Sequence, residues 1–168
     1  YRNITVEALT DPNIDIVKSH YYEGNYANRV REDKALATEY NKPFFVGEFG
    51  FKPTREVEAM LDEVIDNGTS GALIWSLRPH SAQGGFIPHS EYEVDGILYT
   101  AYHWPGLPSG DYQDSTNVLH LMRNKAYEIQ GIDAPALPIP EPAPQLFATD
   151  SVAQISWQGS TGASSYII

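Results

Sequence analysis

Cysteine is absent from the 168 residues of this chain. Without thiols the protein can hold no disulfide framework, no thiolate zinc site and no cysteine nucleophile. The absence leaves the compartment open, because it permits secretion by a bacterium without requiring it. The length is still sufficient for one ordinary domain with a buried core.

Positive charge is also scarce. The chain carries 11 Lys and Arg residues against 22 Asp and Glu residues, which gives a formal net charge of -11. This imbalance argues against nucleic acid or an anionic membrane as a partner, since both bind basic surfaces. The sequence shows no N-terminal signal peptide and no apolar run of transmembrane length. Because it opens on Tyr1 rather than Met, we expect a processed or excised piece of a longer protein.

Aromatic residues, in contrast, are abundant. The chain has 11 Tyr and 3 Trp, and aromatic residues make up 12% of its length. Their flat apolar faces and polar handles suit sugar recognition as well as protein cores. Together with the acidic charge, this composition favours a neutral partner.

Residues 42–51, which read Lys-Pro-Phe-Phe-Val-Gly-Glu-Phe-Gly-Phe, are the most informative stretch. Phe44, Phe45 and Val46 form an apolar run that is typical of a buried parallel strand. Glu48 follows at the C-terminal end of that strand, the edge at which β/α barrels carry their catalytic side chains. Burying an ionised Glu is costly unless it is paired or used. Glu48 is therefore either a catalytic candidate or a side chain that points into water.

Strand and helix patterns alternate along the first 131 residues and predict a parallel sheet with right-handed crossovers. In the second helix, Thr54 is the expected N-cap and Asn67-Gly68 the expected stop. Strands are predicted at 14–20, 43–48 and 71–76, and helices at 27–40, 54–66 and 115–130. The expected apolar stripe of the second helix is Met60, Leu61, Val64 and Ile65, with Val57 before it.

The spacing of the strand ends is close to that of a barrel. From His20 to Glu48 is 28 residues, and from Glu48 to Trp75 is 27. An eight-unit barrel takes roughly 31 residues per unit. We therefore predict an α/β fold in which residues 1–132 form part of a (β/α)8 TIM barrel.

Three further segments follow the third strand. Residues 77–112 show no convincing periodicity and predict a long loop over the C-terminal face of the sheet. Residues 133–144 contain five prolines and predict a stiff linker. Residues 145–168 alternate with period two and predict the start of a β-sandwich module.

The three strand-end motifs, taken in order, resemble the last three strands of clan A glycoside hydrolases, most closely the mannanase-like members of glycoside hydrolase family 5. The motifs are His-x-Tyr at 20–22, Gly-Glu-Phe-Gly at 47–50 and Gly-Ala-Leu-Ile-Trp-Ser-Leu-Arg at 71–78. The resemblance covers about residues 1–131. The segment from 145 onward resembles the start of a fibronectin type III-like module, with Trp157 in its core.

The resemblance implies a retaining β-glycoside hydrolase that acts on a β-linked polysaccharide or oligosaccharide by double displacement. Glu48 would be the nucleophile, Tyr22 would orient it, and His20 would line the substrate site. The implied substrate-binding residues are Trp75 beneath the sugar, and Arg78, His80 and Trp104 around the cleft.

Several alternatives remain open from the residues themselves. His20 is equally consistent with a structural histidine, and for Trp75 the less favoured alternative is plain barrel core. Tyr21 is a second candidate for the tyrosine that faces Glu48, although the His-x-Tyr match favours Tyr22. We expect no cofactor and no metal, because His80, His89, His103 and Glu91 fit no compact ligand motif.

The chain departs from the family at the acid/base residue. In the family that Glu follows an Asn at the end of the fourth strand, and no Asn-Glu dipeptide occurs in the 168 residues. We expect the chain alone to be inactive, with the missing barrel half supplied by the parent protein or by another copy.

Two other functional classes compete with the mannanase-like hydrolase: a non-catalytic carbohydrate-binding relative and a family 2-like exo-β-glycosidase. The Trp-Ser-Leu-Arg context at 75–78 favours family 5 over family 2. In any of these roles we expect a secreted or cell-surface protein, of bacterial type.

Overall fold

A computed structural model describes residues 4–78, 90–94, 97–100, 102–103, 115–136, 145–147, 156–158 and 167. The chain divides into two compact units, Tyr1–Trp75 and Ser76–Ile168. The helices are α1 (Val6–Thr10), α2 (Tyr26–Glu39), α3 (Thr54–Asp66) and α4 (Ser115–Glu128). The strands of the first unit are β1 (Val17–Tyr21), β2 (Phe44–Phe49) and β3 (Ala72–Ile74). Across the described ranges, no helix is both long enough and apolar enough to cross a membrane.

The first unit is built on a parallel sheet with the strand order β1-β2-β3. Helix α2 connects β1 to β2, and α3 connects β2 to β3. The predicted order of strands and helices is therefore confirmed in this unit. Because parallel strands run in the same direction, their C-terminal ends meet at one edge of the sheet.

The predicted partial TIM barrel is wrong. Strand β2 has a neighbour on each side, whereas β1 and β3 each pair only with β2 in the part of the chain that the structure describes. The result is an open sheet of three strands, while a barrel requires eight strands closed on one another. The spacing of the strand ends was misleading because one helix between two parallel strands takes about the same length in any α/β sheet.

Helix α3 has most of the features that its sequence predicts. Its buried residues include Val57 and Met60, and its C-terminus lies at Asn67, followed by Gly68 at a positive φ of 69°. The apolar stripe and the stop are thus confirmed, apart from Ile65, which is only half-buried. The predicted cap at Thr54 is wrong: the capping position is Pro53, which makes no side-chain hydrogen bond.

A buried polar pair joins α2 to β1. Asp33 of α2 is only 6% exposed, and the Tyr21 hydroxyl donates to its Oδ2 atom at 2.6 Å. The guanidinium carbon of Arg29 lies 5.0 Å from the centre of the Tyr21 ring. Burial of Tyr21, followed by its hydrogen bond to Asp33 and the charge of that carboxylate, holds the pKa of Tyr21 well above its ordinary value.

In the second unit, the described residues form three strand pairs and α4. Its strands are β4 (Leu77–Arg78), β5 (Ser90–Val94), β6 (Ile97–Thr100), β7 (Tyr102–His103), β8 (Gln145–Phe147) and β9 (Ser156–Gln158). Strand β4 pairs in parallel with β7, while β5 pairs with β6, and β8 with β9, in antiparallel fashion.

Two predictions for the second unit are wrong. The stretch at 77–112 is not a structureless loop, because its described residues lie in the short strands β4 to β7. The predicted β-sandwich is also absent from the described residues, where β8 and β9 form a sheet of only two strands. Alternation along a few residues indicates a strand, but it does not specify a second sheet for that strand to pack on. Most of the predicted proline linker, at 137–144, lies outside the described residues.

The Tyr21–Asp33 pair predicts a loss of stability at alkaline pH. Above about pH 10, an unfolded tyrosine releases its proton while the buried Tyr21 keeps it, so the unfolded state becomes relatively more favourable. Tyr21→Phe should cost about 1–3 kcal/mol at neutral pH, because it leaves a buried carboxylate without its donor. The free energy of unfolding of the two proteins, measured in urea, should converge as the pH rises above about 10. A difference that stays constant with pH would contradict this account.

Candidate functional site

The C-terminal edge of the parallel sheet brings together residues from all three strands. Glu48, near the end of β2, is the register partner of His20 on β1, next to a bulge between Ser19 and His20. On the other side of β2, the backbone N–H of Trp75 donates to the carbonyl of Phe49 at 2.8 Å. The residue that follows each outer strand, Tyr22 or Trp75, therefore lies beside the end of β2.

Glu48 is paired rather than directed into water. The Tyr22 hydroxyl donates to Glu48 Oε2 at 2.7 Å, and His20 Nδ1 lies 3.2 Å from the same oxygen. The side chains of His20 and Glu48 are 33% and 27% exposed. The predicted hydrogen bond between Tyr22 and Glu48 is confirmed, whereas Tyr21 is fully buried and bonded to Asp33.

The other ring nitrogen of His20 also has a partner, which the sequence reasoning missed. Lys18 Nζ contacts His20 Nε2. Lys18 is exposed and lies two residues before His20 on β1, so both side chains project from the same face of the sheet. The sequence signal for this contact is the alternation Lys-x-His-x-Tyr at 18–22, which places Lys18 on the same face of β1 as His20.

Gly47 makes this contact possible. A Cβ atom at position 47 would lie 2.7 Å from Lys18 Cδ and 3.0 Å from His20 Cδ2 and Nε2. Real Cβ atoms avoid such distances, so any other residue would displace Lys18 or the imidazole. Gly47 thus lies within the predicted strand and provides space for its neighbours on β1.

Tyr22 is held from behind by Phe51. The two rings stack with centres 5.7 Å apart and planes inclined by 24°. Phe51 is buried and has a positive φ of 58°, an unfavourable conformation for a residue with a side chain. The adjacent Gly50 carbonyl accepts a hydrogen bond from the Tyr26 hydroxyl at 2.9 Å, which fixes this turn to α2. Sequence reasoning gave Phe51 no role, because no local signal indicates a positive φ at a phenylalanine.

For the remaining predicted site residues, the substrate-binding role stays a prediction. Arg78 lies in β4 and belongs to the second unit. His80 and Trp104 fall outside the described residues. No group of three or more His, Asp or Glu side chains in the described part of the chain is arranged to hold a metal ion.

The comparisons with known proteins give no family for this chain. No family model, no curated protein and no solved structure matches it. The resemblance to glycoside hydrolase family 5 therefore stays a hypothesis that rests on the motif residues.

The two carboxylate oxygens of Glu48 have different surroundings. Oε2 is contacted by Tyr22 and His20, whereas Oε1 accepts no hydrogen bond from any residue in the described ranges. A carboxylate accepts hydrogen bonds through both oxygens. Glu48 is thus fixed through one oxygen and can offer the other to a ligand hydroxyl or an electrophilic carbon.

Gly47→Ala should disturb this cluster. The new methyl group would displace the Lys18 side chain and the His20 ring, so we expect a changed His20 imidazole NMR signal and, because both side chains are partly exposed and can move, a loss of only about 0.5–1 kcal/mol in the free energy of unfolding. Gly71→Ala is the matched control, because a Cβ there would meet no atom within 4 Å. If both alanine variants left the stability and the His20 signal unchanged, the close packing around Gly47 would be refuted.

Proposed function

We propose that this chain contributes the nucleophile of a retaining β-glycoside hydrolase, of the endo-β-1,4-mannanase-like type, and that Glu48 is that nucleophile. The observation that carries the proposal is the pairing of Glu48 Oε2 with Tyr22 and His20 at the C-terminal edge of a parallel sheet. Polar side chains at this edge of α/β sheets commonly form ligand sites. The resemblance of the three motifs is the reason to propose a sugar substrate, and the geometry around Glu48 supports its role as the nucleophile.

In a retaining mechanism a carboxylate attacks the anomeric carbon and forms a covalent glycosyl ester, which water then hydrolyses. Attack requires the carboxylate to be held in a fixed orientation relative to the sugar. Tyr22 and His20 provide that orientation through Oε2, and the stack of Phe51 on Tyr22 fixes the phenol itself. Oε1 is then the oxygen that forms the bond to the sugar.

The reaction also needs a carboxylic acid that protonates the leaving oxygen. The family's Asn-Glu motif for that residue does not occur in the 168 residues. We therefore expect no appreciable hydrolysis of an unactivated mannan oligosaccharide by the chain alone. An activated leaving group such as dinitrophenolate departs without a proton, so the first half of the reaction can be tested separately.

The test is covalent trapping. The full chain is incubated with 2,4-dinitrophenyl 2-deoxy-2-fluoro-β-mannoside, and in parallel with the β-glucoside, and its intact mass is measured. We expect one glycosyl adduct, which peptide mapping should locate at Glu48. Glu48→Gln should give no adduct, because an amide is a poor nucleophile, whereas Glu58→Gln at an exposed position of α3 should still be labelled.

The same assay has a clear negative outcome. An adduct formed equally by the native chain and by Glu48→Gln would remove Glu48 as the nucleophile. The absence of any adduct in the native chain, with both sugars, would count against the proposed reaction.

Tyr22→Phe tests the orientation of Glu48. It removes the hydroxyl that donates to Oε2 while keeping the ring that stacks on Phe51. A hydrogen bond to a charged group is worth about 1.5–3 kcal/mol, so we expect the rate of adduct formation to fall by about 10- to 100-fold. An unchanged labelling rate would show that Tyr22 does not position the nucleophile.

A second candidate is carbohydrate binding without catalysis. The lack of the Asn-Glu motif favours it, since binding needs no acid. In that case a mannan oligosaccharide would bind in a calorimetric titration, Trp75→Ala would weaken binding, and no covalent adduct would form. Adduct formation at Glu48 would favour the glycoside hydrolase over the non-catalytic binding protein.

A further inference from the structure

We infer that Lys18 is a positioning residue that selects the tautomer of His20. The contact between Lys18 Nζ and His20 Nε2 lies on one side of the imidazole, and Glu48 Oε2 lies 3.2 Å from Nδ1 on the other. Nothing in the proposed reaction required a lysine at this place. The inference extends the proposed function only where it concerns reactivity; the tautomer itself does not depend on a sugar substrate.

The assignment follows from which groups can donate. A lysine ammonium has three donors and no acceptor, so His20 Nε2 must accept from Lys18. A neutral imidazole has one donor nitrogen and one acceptor nitrogen. The proton of His20 therefore lies on Nδ1, from which it can be donated to Glu48 Oε2. An imidazolium would instead place two positive charges in contact, which is repulsive.

The other partner of Glu48 is consistent with this direction. The Tyr22 hydroxyl also donates to Oε2, so this oxygen receives both donors and Oε1 receives none from the described residues. With the opposite tautomer, Nδ1 would be an acceptor facing a carboxylate oxygen, and both contacts of the ring would be unfavourable. By fixing the tautomer of His20, Lys18 therefore determines that Oε2 of Glu48 accepts the histidine hydrogen bond and that Oε1 remains available to a ligand.

The residues around the contact between Lys18 and His20 provide the space that it needs. Lys18 and His20 alternate onto one face of β1, and Gly47 on β2 lacks the Cβ atom that would collide with both. A bulge at Gly47 shifts the register so that His20, rather than Tyr21, faces Glu48. Three local features therefore converge on one geometry for the imidazole.

The tautomer can be measured directly by NMR. The full chain is labelled with 15N-histidine, and two-bond proton–nitrogen correlations are recorded at mildly alkaline pH, where free imidazole is neutral. Five histidines contribute signals, and His20 is assigned by the signal that disappears in His20→Gln. We expect a protonated Nδ1 and an unprotonated Nε2 in the native protein.

Lys18→Met should shift His20 toward the tautomer protonated at Nε2, because the donor that occupies this nitrogen is lost. Lys18→Arg should retain the native pattern, since a guanidinium is also a donor without an acceptor. Lys34→Met on α2 is the matched control for loss of a lysine and should leave the His20 signals unchanged. Lys18 is exposed, so its replacement does not disturb the core.

Three results would overturn the inference. They are a native His20 protonated at Nε2, a native His20 protonated at both nitrogens, and a Lys18→Met spectrum identical to that of the native protein. The trapping assay gives a separate readout, in which Lys18→Met should slow labelling by about tenfold or less. If His20 shows the expected tautomer but no adduct forms, the role of Lys18 is supported and the glycosidase proposal is refuted. If an adduct forms but His20 shows the other tautomer, only the proposed role of Lys18 is refuted.

Discussion

The parallel pairing of β1 with β2 is the constraint on which the candidate site depends. It sets His20 beside Glu48, and the bulge before His20 determines that these two residues, rather than their neighbours, face each other. Without this register, the donors of Tyr22 and His20 would not reach the same carboxylate oxygen. A shift of one residue would turn the His20 side chain to the opposite face of the sheet.

Successive side chains of β1 point to opposite faces of the sheet, so that one face contributes to the core and the other to the candidate site. Tyr21 points toward the helices, where it is buried and bonded to Asp33. Lys18 and His20 project from the other face, and Tyr22, just past the strand, reaches Glu48. This five-residue strand and the residue that follows it thus connect α2 to the sheet and also supply the partners of the carboxylate. Because the two sets of side chains point in opposite directions, the site can be polar while the core remains closed.

Short-range patterns predicted much of the first unit. The apolar run before Glu48 gave β2, and the stripe with the Asn67-Gly68 stop gave α3. The identity of Tyr22 as the partner of Glu48 also followed from the motif, and the structure confirms that contact. The partial barrel and the sandwich were wrong, because strand closure and sheet packing depend on strands far apart in sequence, which local repeats do not specify.

The sequence by itself determined the three parallel strands of the first unit and the two helices that connect them, and which polar groups follow the strand ends. Only the tertiary structure decided that Asp33 is buried against Tyr21, that Gly47 makes room for Lys18 and His20, and that Phe51 supports Tyr22. The physical reason is the range of the interactions. Periodicity and turn chemistry act within a few residues, whereas each of these contacts joins segments that are adjacent only after the sheet has formed.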